Sequence, residues 1–490
     1  MRKLSRRELL KAVGGMTVGA AALSLLSACG GGAAPAAAPT AAPKAEEAKP
    51  TEAPKKEEAK APEPTKAAEQ GQPAATAYTI QLMQYRSEFA EDEEKLFNEK
   101  YAPLEVKLIE FDYTKLDAMF AAKTPPDMIR TYAPALPGFK ARGLILDLTD
   151  RFERSKKINV QDLWEANDYY CFEPDGLKPV RGAPRYGMVK DFAPDNTIWC
   201  WKPAFDDAKV ELWDYSKPPS YKDWMAAAKQ ITKKEGDRTV RFGFNPADYW
   251  VDRLVMSCLA ELGKSLYSED YTKALIMDDK DVKEALKWWY DAAFSGAMPT
   301  PVNPITNQSA GYVEGSLAMW QTGYWFTAWQ RYNAKPEQNI DQNSYFVGAP
   351  WFFDESKRVS PTVTACGNVI ASGSKNPDAV WVFYEHFMAE EPAELRAKNG
   401  WGLPAYKSWF DRLPKSTPHS QRAFTTIENE IKKMVTLNFN PYLGEDTVNQ
   451  VWKAAIEKAL RANTAADEVL ADATKEINTL IQEGKDAIGA

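Results

Sequence analysis

The chain has 490 residues, 44% of them hydrophobic and 26% charged, which is enough apolar material for a large core spread over two or three domains. A net charge of -7 argues against a protein that wraps nucleic acid, and two histidines, His386 and His419, leave little for metal ligation or histidine acid-base chemistry. Sixteen tryptophans and an aromatic fraction of 12% exceed what such a core requires, and a small molecule is the expected partner.

Ser5-Arg6-Arg7-Glu8-Leu9-Leu10-Lys11 is a twin-arginine pair ahead of a weakly apolar stretch, residues 12–28, too short for a membrane span. Leu26-Ser27-Ala28-Cys29 resembles the bacterial lipobox, whose cysteine takes a diacylglycerol. Residues 1–28 are therefore expected to be a signal peptide and Cys29 a lipidation site. Residues 30–77 are rich in Ala, Pro, Glu and Lys and hold no aromatic residue, Leu, Ile or Val, so they cannot bury enough surface to fold. Residues 29–77 then read as a lipidated cysteine and a tether, with a reach on the order of 40 Å that prolines extend. Two or more acyl chains hold a protein stably, and the expected location is the outer face of the cytoplasmic membrane.

In the folded part Tyr78, Ile80 and Leu82 alternate as a strand, Phe89, Leu96 and Phe97 recur at helical spacing behind Ser87, and Leu104, Val106 and Leu108 alternate again. A helix over Tyr113 to Ala122 leads to the short apolar run at Met128-Ile129-Arg130, followed by breaks at Pro134 and Pro137. Strand and helix alternating in this way imply a parallel sheet covered by helices, with ligands bound beyond the carboxyl ends of the strands. Tyr85 and Arg86, and Arg130, Thr131 and Tyr132, stand at those ends. From about 196 to 358 aromatic-rich helices take over: Ser220 caps Tyr221 to Ile231, and Val282, Leu286, Trp289 and Ala293 line one face of another. A strand-like run from Asn368 to Ser372 and the helix Ala379 to Met388 resume the first style. The last stretch holds two amphipathic helices, with Val469, Leu470, Ala473, Ile477, Leu480 and Ile481 on one face of the second. There is no internal repeat.

Several phrases in order resemble the extracellular solute-binding proteins of ABC importers, family 1, the type that includes maltose- and oligosaccharide-binding proteins. They are Pro126-Asp127-Met128, Gly143-Leu144-Ile145-Leu146-Asp147-Leu148, Tyr186-Gly187-Met188-Val189-Lys190-Asp191, Pro219-Ser220-Tyr221-Lys222-Asp223-Trp224 and Glu314-Gly315-Ser316-Leu317-Ala318-Met319 with Gly323-Tyr324-Trp325. Ser374-Lys375-Asn376-Pro377-Asp378-Ala379 and Gly402-Leu403-Pro404 follow. The resemblance implies the α/β, two-lobe, type II periplasmic-binding-protein fold, with mainly parallel sheets flanked by helices. Three crossovers are expected near Phe192 to Thr197, Val359 to Thr364 and Gly402 to Lys407. Lobe 1 would comprise residues 78–195 and 360–405, and lobe 2 residues 196–359 and 406–490. The family usually has Pro where Val189 stands, and often Tyr-Asn where this chain has Trp199-Cys200-Trp201-Lys202. The second departure leaves open which side chains of that strand reach the cleft.

A sugar offers hydroxyls at its edge and C–H groups on its faces, so its binder needs flat apolar rings and bidentate polar side chains. The resemblance makes Trp325 the first choice as a stacking ring. Trp250, Trp351 and Trp401 stand beside the breakers Pro246, Pro350 and Gly400, with core packing the competing role for each. Arg86, Arg130, Asp191 and Asn368 would supply hydrogen bonds and Tyr85 or Tyr132 would cap the ligand; Arg130 and Asp191 are alternatively partners in a structural salt bridge. A solute touching both lobes would draw them shut. The expected partners are a carbohydrate, ABC permease subunits and, through the lipid, the membrane, with the protein a monomer that uses no cofactor or metal.

Competing readings are a lipid-anchored glycoside hydrolase, whose two carboxylates need no fixed spacing, and a purely interactive surface protein. Gly-x-Gly-x-x-Gly, Cys-x-x-Cys-His, His-Glu-x-x-His and Gly-x-Ser-x-Gly patterns are absent from the sequence. The acidic run at Glu91, Asp92, Glu93 and Glu94 has the look of a solvated helix face and lacks EF-hand spacing. Cys171, Cys200, Cys258 and Cys366 permit three full pairings or, as their apolar surroundings favour, buried free thiols.

Overall fold

Nine short strands form two sheets and two more a separate hairpin in a computed structural model that describes residues 76–246 and 250–489; Cys29 and nearly all of the tether lie outside them. Tyr78–Gln84 forms β1, with Ile80 and Leu82 turned into the core, and the same alternation makes Leu104–Glu110 β2; the apolar run Met128–Thr131 is β3. β1 pairs in parallel with both β2 and β3, and the helices Glu91–Lys100 (α1) and Tyr113–Ala121 (α2) fill the connections. Ser87 does not cap α1. The helix starts later, at Ala90, whose N–H donates to the Glu93 carboxylate at 2.8 Å, and the acidic run Glu91 to Glu94 occupies the positive end of the helix. Ser87 sits instead in the turn that delivers Glu88.

The remaining strands are β4 (Gly187–Phe192), β5 (Ile198–Trp201), the hairpin β6 (Lys233–Glu235) and β7 (Arg238–Arg241), β8 (Met319–Gln321), β9 (Ser344–Val347), β10 (Cys366–Ile370) and β11 (Leu403–Pro404). The first sheet runs β2-β1-β3-β10-β4-β11 and the second β8-β5-β9. The expectation of mainly parallel sheets needs correction. Parallel pairing is confined to β1, β2 and β3, β10 lies antiparallel between β3 and β4, and the second sheet is antiparallel throughout. The cause is the path of the chain: β4 carries it out of the first half and β10 brings it back, so these two neighbours must point in opposite directions.

Helix α3 (Leu136–Ala141) belongs to the first half. In the second, Ser220 caps α4 (Tyr221–Ile231) by accepting the Asp223 N–H at 3.0 Å, and α5 (Val251–Ala260), α6 (Lys280–Phe294) and α7 (Phe326–Asn333) follow. The chain returns to the first half for α8 (Pro377–Ala389) and α9 (Glu391–Asn399). It ends with α10 (Pro418–Glu430), packed on β9, and with α11 (Thr447–Ala462) and α12 (Ala466–Ile488), packed on α6.

Two passages between the sheets are bound to each other. Residues 192–197 link β4 to β5, residues 359–364 lead into β10, and the Asp195 N–H donates to the Pro361 carbonyl at 3.1 Å. The third differs from the expectation of Gly402 to Lys407. Leu403 and Pro404 pair with Phe192 and Asp191 as the edge strand of the first sheet, and the chain reaches α10 only beyond Arg412. The cysteines Cys171, Cys200, Cys258 and Cys366 are buried free thiols. Among the described residues no helix is long and apolar enough to cross a membrane, and no cluster of three or more His, Cys, Asp or Glu side chains is placed to hold a metal ion.

Candidate functional site

The carboxyl ends of β1, β3 and β4 converge on a chain of charges whose cations are buried and whose carboxylates are partly exposed. Glu88, in the turn after β1, takes Arg130 of β3 in a bidentate pair, Nε to Oε2 at 2.9 Å and Nη2 to Oε1 at 2.8 Å. Lys190 of β4 reaches Glu88 at 3.2 Å and also contacts the Asp191 carboxylate. Arg130 is 3% exposed and Lys190 7%, so water offers neither cation much relief. Burial alone would raise the Glu88 carboxyl, but Arg130 and Lys190 outweigh it and hold the group down at about 2. Against the pull of burial, Arg130 is held well above its ordinary value by Cys366 and Glu88, and Lys190 above its own by Asp191 and Glu88.

Aromatic rings sandwich the guanidinium. Arg130 lies 4.7 Å from the Tyr85 ring and 4.1 Å from that of Tyr132, and its Nη2 donates to the Tyr132 hydroxyl at 2.6 Å. Arg130 Nη1 is buried without a protein partner. Beside this group Gly402 comes so near Asp191 that a Cβ would stand 2.8 Å from the aspartate Cβ, which fixes glycine at that position. Arg396 of α9 completes the cluster, stacked 4.4 Å from the Phe387 ring.

The second half answers with rings and a different charge pair. Trp250 precedes α5 and lies 4.4 Å from the guanidinium of Arg253, whose Nη2 reaches Glu445 only at 3.5 Å. Burial, helped by Asp446, pushes the Glu445 carboxyl up to about 8. Tyr113 of the first half donates to Glu445, so one rim is bridged there, and α3 approaches Pro441 close by. The other rim is bridged where Arg331 donates to the Asn399 carbonyl and Tyr332 stacks on Trp401 with ring centres 5.9 Å apart and planes 4° from parallel. Trp325 follows β8 and stands edge-on to Trp320 at 5.9 Å. Gly323 just before it packs so tightly on the first passage that a Cβ would lie 2.6 Å from Asp195 Oδ1.

Of the residues expected from sequence, Tyr85, Arg130, Tyr132 and Asp191 come together at the strand ends, and the alternative of a direct Arg130–Asp191 bridge is replaced by one through Glu88 and Lys190. Trp250 and Trp325 lie half-buried in the second half. Trp351 is half-buried beside α4, its carbonyl accepting the Tyr221 N–H at 2.9 Å, and Trp401 is 39% exposed at the rim. Two expectations require correction. Arg86 folds onto the helix that follows it, to Glu94 at 2.7 Å and the Phe89 carbonyl at 3.3 Å, because the turn after β1 brings it over the start of α1. Asn368 is fully buried in the middle of the first sheet, between Arg130 and Met188 in register, where no solute reaches. Sequence reasoning missed Glu88, Lys190, Arg253, Arg396 and Glu445. Only Lys190 carried a signal, its place beside Asp191 at the end of an apolar run.

The scaffold that carries these residues resembles solved structures. A structure of an ABC substrate-binding protein from Listeria monocytogenes, in complex with cycloalternan, superposes with a TM-score of 0.66 at 20% identity, covering 82% of this chain and 98% of that one. The sugar-binding protein MalE from Xanthomonas citri gives 0.62 at 15% identity, covering 83% and 98%. A solute-binding protein from Agrobacterium vitis with bound D-mannitol gives 0.61 at 17%, covering 84% and 99%. At these identities the likeness establishes the type II periplasmic-binding-protein fold. No curated protein matches the sequence. Residues 76–394 match the family model of the bacterial extracellular solute-binding proteins, and this chain belongs to that family.

Proposed function

We propose that the protein is the extracytoplasmic receptor of an ABC importer, capturing a carbohydrate or polyol between its two halves and presenting it to permease subunits in the membrane. The observation that carries this reading is that each half gathers rings about fixed charge, Tyr85 and Tyr132 around Arg130 in the first and Trp250 against Arg253 in the second, with Tyr113 of the first half reaching Glu445 beside Arg253. Rings of this kind suit the C–H faces of a sugar, and buried cations and carboxylates suit its hydroxyls. The sugars and polyols held by similar folds point the same way.

The halves would be residues 78–195 with 360–412, and residues 196–359 with 418–489. A solute bridging them favours the closed arrangement by its extra contacts there, and that difference in affinity shifts the population. The protein binds without turnover, as a monomer and without a cofactor. Acylation at Cys29 would keep it beside the permease on the tether of residues 30–77.

A thermal-shift screen over mono- and oligosaccharides, polyols and glycerol phosphates, with product analysis, tests the reading. A true solute at a hundred times its dissociation constant adds about 2.7 kcal/mol of stability, and it should be recovered unchanged in one-to-one stoichiometry. No shift with any solute, or hydrolysis of an oligosaccharide, counts against it.

A further inference from the structure

Glu445 stands on the loop between α10 and α11 in the second half, and Tyr113 opens α2 in the first. The Tyr113 phenol donates to Glu445 Oε2, so the halves share a hydrogen bond between residues 332 positions apart. Rings hold the phenol in place: Tyr113 stands edge-on to Phe111 at 4.7 Å, and Phe111 tilts against Tyr85 at 5.2 Å.

Charge around Glu445 is poorly matched. Its side chain is only 10% exposed, and its one cation, Arg253 of α5, lies 3.5 Å from Oε1. Asp446 stands beside it on the loop and acts in turn on buried Asp252 of α5. From the first half come the Tyr113 hydroxyl and Tyr85, which is within reach of the Glu445 charge. An ionised Glu445 is therefore a badly solvated charge next to like charge, whereas a protonated one still accepts from Tyr113. Burial, helped by Asp446, pushes the carboxyl up to about 8. Parting the halves withdraws Tyr113 and admits water, which returns the group towards its ordinary value of about 4.3.

We propose that Tyr113 and Glu445 form a proton-dependent latch between the halves: with its proton Glu445 favours the closed arrangement, and on releasing it to water it favours the open one. The latch deepens the receptor reading and rests on its two moving halves, making pH a control on solute release. A group raised in the closed form supports closure fully below its open-state value and loses that hold as pH climbs through about 8. The ratio of closed to open protein should fall about 25-fold between pH 6.5 and 8.5. Asp195, at the passages, titrates lower, through about 6, so this window separates the two carboxyls.

Small-angle X-ray scattering of the purified protein without solute, stepped from pH 6.5 to 8.5, reads the two arrangements through the radius of gyration. The radius should grow with pH in the native protein and stay at its pH 6.5 value in Glu445→Gln, which imitates the protonated form. Tyr113→Phe keeps the ring on Phe111 and loses only a hydroxyl at a position 37% exposed, so it serves even if the first variant does not fold. It should already be more open at pH 6.5 and respond less to pH. A constant radius in the native protein, or a native-sized response in either variant, overturns the latch. Solute binding in the thermal-shift screen alongside a constant radius would overturn the latch and leave the receptor reading standing; a pH-dependent radius with no solute bound would do the reverse.

Discussion

Asp195 and Thr364 tie the first two passages between the sheets into one unit: a single carboxylate oxygen of Asp195 accepts from the Thr364 N–H at 3.1 Å and its hydroxyl at 2.9 Å. The same oxygen takes the Val363 N–H at 2.9 Å. Tyr169 fastens the other side of the second passage, donating to the Thr362 carbonyl at 2.6 Å while accepting the Leu437 N–H. Movement of one half against the other must therefore carry these strands together.

Asp195→Ala would strip three donors of their acceptor, at about 1–3 kcal/mol for each buried group left unpaired. Burial raises this carboxyl to about 6 despite those bonds. A carboxyl raised in the folded state contributes stability that is complete below its unfolded pKa, about 3.9, and is lost as pH rises through about 6. Urea unfolding from pH 4 to 7 should show that decline in the native protein and a flatter profile in Asp195→Asn.

Glu88→Gln leaves Arg130 and Lys190 buried against a neutral amide and should cost about 3–5 kcal/mol at neutral pH. The Glu88 carboxyl is depressed to about 2, so its stabilisation is present above the ordinary carboxylate value and lost as pH falls through about 2. The difference between the two proteins should accordingly shrink between pH 4.5 and 2. Equal unfolding midpoints at pH 7 would show that the cluster contributes nothing.

Glu445 behaves in the opposite sense to Glu88. Its carboxyl is raised to about 8, so the stability it contributes is full below its unfolded pKa, about 4.3, and disappears as pH climbs through about 8. Glu445→Gln, which imitates the protonated form, should flatten the Tm profile over that window; an unchanged slope would place the pH dependence elsewhere.

Trp325→Ala should weaken capture of the solute found by screening at least about tenfold, or 1.4 kcal/mol, with the circular dichroism spectrum unaltered. Calorimetry that finds the affinity intact would remove this ring from the site.

Trp401 and Tyr332 stack in the open at the rim, 39% and 52% exposed, so their contact adds little to the fold and bears chiefly on closure. Trp401→Ala should leave the Tm within about 1 °C and raise the solute dissociation rate several-fold in stopped-flow fluorescence. A rate equal to that of the native protein would show that the stack does not act as a latch.

Elements with one wet and one dry face, or with a clear cap, were legible from local pattern: Ile80 and Leu82 alternate in β1 of the first half, and Ser220 announces α4 of the second. Motif order likewise pointed to the family. Spacing alone does not fix where α1 starts: Ser87 has the chemistry of a cap, but the helix begins at Ala90, whose N–H Glu93 accepts. Tyr85, Arg130 and Tyr132 could be chosen as site residues because strand ends are visible in sequence.

What the sequence by itself determined, then, is the run of elements and the chemistry at the ends of the strands, since both depend on neighbours a few residues apart. Tertiary structure alone decided that Arg130 answers to Glu88, 42 positions away, that Asn368 is sealed within the sheet, and that Arg253 meets Glu445 across 192 positions. Charges choose partners by distance in space, and in this fold the chain passes repeatedly between two sheets, so spatial neighbours are set by how those passages pack together.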